Sequence, residues 1–269
     1  MRNRSLIIGL AFLFSIGWAA GAQDVAVQRA SLLGESSPES LSATSAMPVV
    51  SPEAALELMA KHSAEQSEQL AGFESDTVIT ADLPDTSQHG EYELLRKFTA
   101  EPRALSYAVV RYSGDGFVKT QVITRFLQSE VEHVKDDPRA SAITDANYKF
   151  SYKGTQTVNG HFTYVFQLKP RHKAPRLIKG KIYLDASSGM LRRMEGRVSK
   201  SPSFFIRSID FTQDFEEIDG FNMPTRLQST TRAHVIGRAF VNIVYRAYHV
   251  MPRKPADTLQ PEVDTAGLR

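Results

Sequence analysis

Seven histidines are the first residues to weigh for chemistry: His62, His89, His133, His161, His172, His234 and His249. No two stand at i,i+2 or i,i+4, the spacings that bring two imidazoles together in a zinc-type site. The chain has no cysteine, which removes thiolate nucleophiles, sulfur-ligated metals and disulfides together. There is no G-x-S-x-G elbow and no phosphate-binding glycine loop. Gly114-Asp115-Gly116 lacks a helix-opening third glycine and reads as a turn, while Asp136-Asp137 and Glu216-Glu217 lack the alternation of a calcium loop. This inventory points away from an enzyme and from any cofactor, and toward a protein that binds.

Two groups of residues could do the binding. The first is an aromatic set in the second half of the chain. Phe150 and Tyr152, then Phe162, Tyr164, Phe166 and Leu168, each alternate with polar or smaller residues, so one sheet face collects them. That face either lines an apolar pocket for a ligand or forms a core filled by helices. The second is the run Lys169, Arg171, Lys173, Arg176, Lys179 and Lys181, which places six cations within thirteen residues. Pro170 and Pro175 keep that connection extended. It suits an anionic membrane surface or an acidic partner, at about 1 kcal/mol per basic residue near an anionic surface.

The elements that must position these groups are mostly strands. Ser51-Pro52-Glu53 opens a helix, with a capping serine and proline at the first position, running to about Leu70 and ended by Gly72. Strands follow at 77–83, 91–100 and 104–112. The spacing of Val118, Val122, Phe126, Val131 and Val134 then predicts a helix over 117–134. After Asp145 the period is two almost to the end: 148–152, 162–169, 179–185, 190–198, 205–217, 221–232 and 239–250. A two-residue loop at Asn159-Gly160 would set Tyr152 against Gln167, an apolar residue against a polar one. A three-residue loop, a type I turn followed by left-handed glycine, instead pairs Tyr152 with Phe166 and Phe150 with Leu168. The same turn at Ile218-Asp219-Gly220 pairs Phe215 with Met223 and Phe211 with Leu227. With reversals at Ser187-Ser188-Gly189 and Ile236-Gly237-Arg238, this half is a meander.

The termini fix the expected compartment. Arg2 and Arg4 precede an uncharged apolar stretch from Leu6 to Ala20, and Ala20-Gly21-Ala22 offers a cleavage site. Residues 1–22 are thus expected to be a signal peptide, 23–50 a polar leader, 51–250 one domain and 251–269 a polar tail, in a soluble periplasmic protein. Charge is uneven: residues 23–145 hold 10 Lys and Arg against 20 Asp and Glu, and residues 146–269 the reverse. Either the halves attract each other, or the second half offers a basic face.

This order of elements resembles the periplasmic lipoprotein-carrier superfamily typified by LolA, LolB and RseB. The residues that carry the resemblance are the stretch from Val158 to Gly196, with Tyr164-Val165-Phe166-Gln167-Leu168-Lys169-Pro170 after the Gly160 turn. Ile182-Tyr183-Leu184-Asp185 before Ser188-Gly189 belongs to it too. The resemblance implies a mainly β fold, a curved antiparallel half-barrel with helices on its concave apolar face. It implies a non-catalytic carrier or sensor of lipid or lipoprotein acyl chains, with no cofactor and no nucleic acid. The alternative is a structural interaction domain that docks an envelope partner through the basic loop. An outer-membrane barrel is disfavoured, because Arg207, Asp210 and Arg246 interrupt the strand faces.

Overall fold

The structure, a computed structural model, describes residues 49–174, 176–201, 204–234 and 237–253. The expected signal peptide, the leader up to residue 48 and the tail beyond Arg253 lie outside the described residues, as does Ile236 of one expected reversal. Helix α1 spans Pro52–Gln69, and the Ser51 hydroxyl accepts from the Ala54 amide at 3.1 Å, as its cap position requires. The chain then enters strand β1 (Leu70–Leu83) with no loop between them. Gly72, expected to end the helix, instead lies in β1 at a bulge; a Cβ there would sit 2.5 Å from the Phe98 carbonyl oxygen. Its role is close approach between strands, which no side chain would permit.

Strands β2 (Gln88–Ala100) and β3 (Arg103–Gly114) follow, then a π-helical stretch, Val118–Ile123, that leads into α2 (Thr124–His133). The rest is β4 (Tyr148–Val158), β5 (His161–Pro170), β6 (Ile178–Asp185), β7 (Leu191–Val198), β8 (Ile206–Ile218), β9 (Phe221–Ala233) and β10 (Gly237–Pro252). All ten strands form one curved, open antiparallel sheet in the order β3-β2-β1-β10-β9-β8-β7-β6-β5-β4. From β4 to β10 it is a meander, and the last strand closes against the first. Strands β3 and β4 are the two edges, so the sheet is a half-barrel. Both helices lie on its apolar face. Val118, Val122, Ile123 and Phe126 pack with Ile79, Tyr92, Leu94 and Ile243 in one core that continues to Phe166 and Leu168. Among the described residues no helix is long and apolar enough to cross a membrane.

The hairpins correct the expected turn chemistry. Asn159 and Gly160 have φ of 49° and 83°, and Asp219 and Gly220 have 52° and 80°, so both loops have the positive φ at both positions of a two-residue type I′ turn. The extra residue that keeps the faces in phase sits inside a strand. In β4 it lies at a bulge where Gly154 has φ of 102°, beyond which Tyr152 pairs with Phe166 and Phe150 with Leu168, as expected. In the second hairpin it is Thr225 of β9. Phe215 therefore faces Pro224 and Phe211 faces Ser229, where Met223 and Leu227 were expected. Two-residue Asn-Gly and Asp-Gly turns match the right-handed twist of the strands, and a bulge restores the alternation afterwards.

Candidate functional site

Period two in the strands carries two polar side chains into the apolar interior, and helical spacing carries a third. In β2, Arg96 takes the inward position between Leu94 and Phe98; in β8, Gln213 takes it between Phe211 and Phe215. On α2, Glu130 follows Val122 and Phe126 at helical spacing and is buried with them. Asn222, just past the Asp219-Gly220 turn, is held by Gln66 of α1: its amide donates to Gln66 Oε1 at 2.8 Å, and Gln66 Nε2 donates to its carbonyl at 3.2 Å. This reciprocal pair fixes the end of α1 against the β8–β9 hairpin.

These groups border a cavity of about 120 Å³ at the end of the sheet where β1 and β3 begin and β2 ends. Its apolar wall is Leu70, Phe73, Leu105, Phe215 and Met223, with Phe98, Val134 and Pro224 at the side. Its polar wall is Gln66, Arg96, Glu130, Gln213 and Asn222. The Arg96 guanidinium lies 5.0 Å from the Phe73 ring centre and 5.1 Å from that of Tyr245. One Glu130 oxygen accepts from the Tyr107 hydroxyl. Burial pushes the Glu130 carboxyl up to about 7, against the opposing pull of the Arg96 charge and the Tyr107 bond. Burial, and then the Glu130 charge, lift the Tyr107 and Tyr245 hydroxyls well above the usual phenol range. Arg103 lies over Phe98 and donates from Nε to the Val134 carbonyl at 2.7 Å, satisfying the end of α2 beside the cavity.

Sequence reasoning missed this site. Arg96 and Gln213 carried a usable signal, because a polar residue flanked by apolar ones at i−2 and i+2 is on the core face by geometry. The aromatic set it singled out lies elsewhere. Tyr164, Phe166 and Leu168 are buried in the main core and Phe150 packs partly buried against it. Tyr152 and Phe162 are 46% and 49% exposed, at the β4 edge, in ring contact with Tyr164 at 5.9 and 6.3 Å. None of the six borders the cavity.

The basic residues lie at the opposite end of the sheet and on its outer face. Arg176 pairs with Asp136 at 2.9 Å, Lys181 with Glu195 at 3.5 Å, and Arg171 donates to the Asp145 carbonyl. Lys169 and Lys173 are exposed, and Lys169 stands opposite Lys149 in register, as Lys179 does opposite Arg197. The loop 171–177 is tied to Ser199, whose hydroxyl donates to the Ala174 carbonyl at 2.8 Å. Phe204, 87% exposed, extends from the same β7–β8 connection. Asp185 staples the β6–β7 turn, accepting from the Ser187 amide and hydroxyl at 3.0 and 2.6 Å, and from Arg192 Nε at 3.2 Å. No group of three His, Asp or Glu among the described residues is placed to hold a metal ion.

Residues 141–250, under half of the chain, match the profile of a family of unknown function (DUF5686). No curated protein matches the chain. Among solved structures, a DUF1329 family protein from Desulfovibrio piger is similar at 14% identity and TM-score 0.40, over 74% of this chain and 92% of that one. A LolA superfamily protein from Nitrosomonas europaea is similar at 12% identity and TM-score 0.37, over 77% and 96%. A chain of the Pseudomonas aeruginosa MucA/MucB complex is similar at 13% identity and TM-score 0.26, over 75% and 100%. With identities below 15% and TM-scores below 0.5, these similarities bear on neither ligand nor activity.

Proposed function

We propose that this protein is a periplasmic carrier or sensor that binds the acyl part of a lipid or lipoprotein without covalent chemistry. The observation that carries the reading is the partly open cavity walled by Leu70, Phe73, Leu105, Phe215 and Met223 at the end of the half-barrel. An engineered cavity of about 150 Å³ in another protein takes up benzene, so this space suits a short acyl segment. The exposed rings Tyr152 and Phe162 offer a further apolar contact at the β4 edge, supported from the core by Phe150, Tyr164, Phe166 and Leu168.

A fluorescent fatty-acid probe tests the reading on paired variants. Phe215→Ala enlarges the cavity wall and is expected to weaken probe binding several-fold. Phe166→Ala, in the filled core, is expected to cost about 3–5 kcal/mol of stability and leave probe affinity within about twofold. Absence of probe binding by the unaltered protein contradicts the proposal.

A second reading, docking of an envelope partner or an anionic membrane surface through Lys169, Arg171, Lys173, Arg176, Lys179 and Lys181, is favoured by one observation. Lys149 faces Lys169 across adjacent strands. Like charges directly opposite destabilise a sheet. An anion brought to that face would relieve the repulsion.

A further inference from the structure

Resting on the reading that the end cavity binds an acyl ligand, we infer which end of the ligand it holds. The cavity is built for the uncharged, hydroxyl-bearing headgroup of a single-chain amphiphile, with Glu130, Gln213 and Asn222 as its hydrogen-bond partners. A bare hydrocarbon segment does not meet its needs.

The polar wall is among the most deeply buried parts of the lining. Gln213 is 2% exposed, Glu130 4% and Asn222 5%. Glu130 Oε1, Gln213 Oε1 and Asn222 Oδ1 are buried without a hydrogen-bond partner among the described residues. Leaving such a group unmatched is costly, and proteins match nearly all of them. Three around one cavity is a demand made on whatever enters it. A methylene chain satisfies none of them.

The charge of the site narrows the chemistry. Arg96 and Arg103 line the space beside the ionised Glu130, so a cationic headgroup is repelled there. A fatty-acid carboxylate has no proton to donate to the ionised Glu130 carboxylate and sets a second anion against it. A hydroxyl both donates and accepts. It donates to the Glu130 carboxylate, and it matches Gln213 and Asn222 whichever way their amides are turned. The apolar wall from Leu70 to Met223 then takes the first carbons of the chain.

Three eight-carbon probes separate the possibilities by calorimetry at about pH 8.5: monooctanoylglycerol, methyl octanoate and octanoate. The full chain, processed as it is in the cell, is expected to bind the glycerol ester at least about tenfold more tightly than the other two, a difference one or two buried hydrogen bonds supply. Gln213→Leu is expected to erase that preference while the protein stays as heat-stable as before, because the change removes an unmatched polar group. Should Gln213→Leu not fold, Glu130→Gln and Asn222→Ala make the same measurement. Equal affinities for glycerol ester and methyl ester, or a preference that survives the variants, overturn the headgroup assignment and leave the acyl-binding reading standing. Binding of none of the three overturns both.

Discussion

Glu130 is the residue at which burial and charge meet most sharply. Burial raises its carboxyl from 4.5 to about 7, and neither the Arg96 charge nor the Tyr107 hydroxyl restores it. The folded chain thus keeps, between those values, a proton that the unfolded chain has released. Stability from this group is fully present below about 4.5 and is lost as the pH rises through about 7. Urea unfolding followed from about pH 5 to pH 8 should show this decline, and Glu130→Gln should flatten it. An unchanged slope in the variant would refute the assignment. Asp185 acts in the other direction at lower pH. Its burial is outweighed by the bonds from Ser187 and Ser188 and by Arg192, which hold it below the usual range, so its contribution is lost on acidification. Glu130 was only half legible in the sequence. Its spacing from Val122 and Phe126 put it on the buried stripe, but no single-residue cue says that a buried glutamate borders a cavity. Arg96 and Gln213 were legible by alternation alone, between Leu94 and Phe98 and between Phe211 and Phe215.

At the scale of elements, both helices and every strand follow from periodicity, because one face of each is apolar and the other wet. Strand pairing needed more. The rule that apolar must face apolar required one extra residue in each hairpin, and the sequence offered the turn as its place. The structure puts it at Gly154 in one hairpin and at Thr225 in the other. Gly154 carries a visible cue, since glycine within a strand marks a bulge. Thr225 carries none, being a residue that strands favour, and there the expected register failed. The turns themselves give a prediction. Gly160→Val and Gly220→Val place a β-branched residue at φ of 83° and 80°, and each should destabilise the domain by about 1–3 kcal/mol. Chemical denaturation measures this, and the Asn159 and Asp219 sites, also at positive φ, should tolerate glycine without loss. Wild-type stability in Gly160→Val and Gly220→Val would rule out the type I′ assignment.

Across the whole molecule, the acidic first half and the basic second half are joined as β1 pairs with β10. Arg238–Asp85 at 3.0 Å, Arg253–Glu101 at 2.8 Å and Arg176–Asp136 at 2.9 Å link the two halves. Pairs this close to solvent contribute little each, about 0–1 kcal/mol, so they consume charge without deciding the fold. Lys149, Lys169, Lys173 and Lys179, at the end of the sheet away from the cavity, stand outside these pairs. If that end meets an anionic surface, vesicles rich in phosphatidylglycerol should retain the protein at low salt and release it as salt rises. Lys169→Gln with Lys173→Gln should abolish the retention, and retention indifferent to salt would exclude the basic end. The molecule as a whole is a half-barrel with its cavity at one end and these exposed lysines at the other. Whether the space at the end of the half-barrel holds an amphiphile is read from native mass spectrometry of protein recovered from a bacterial periplasm. A one-to-one adduct with the mass of a single-chain lipid is expected, diminished in Phe215→Ala and retained in Phe166→Ala. A spectrum of the unaltered protein showing only the bare polypeptide, with none of the added monooctanoylglycerol taken up, would contradict it.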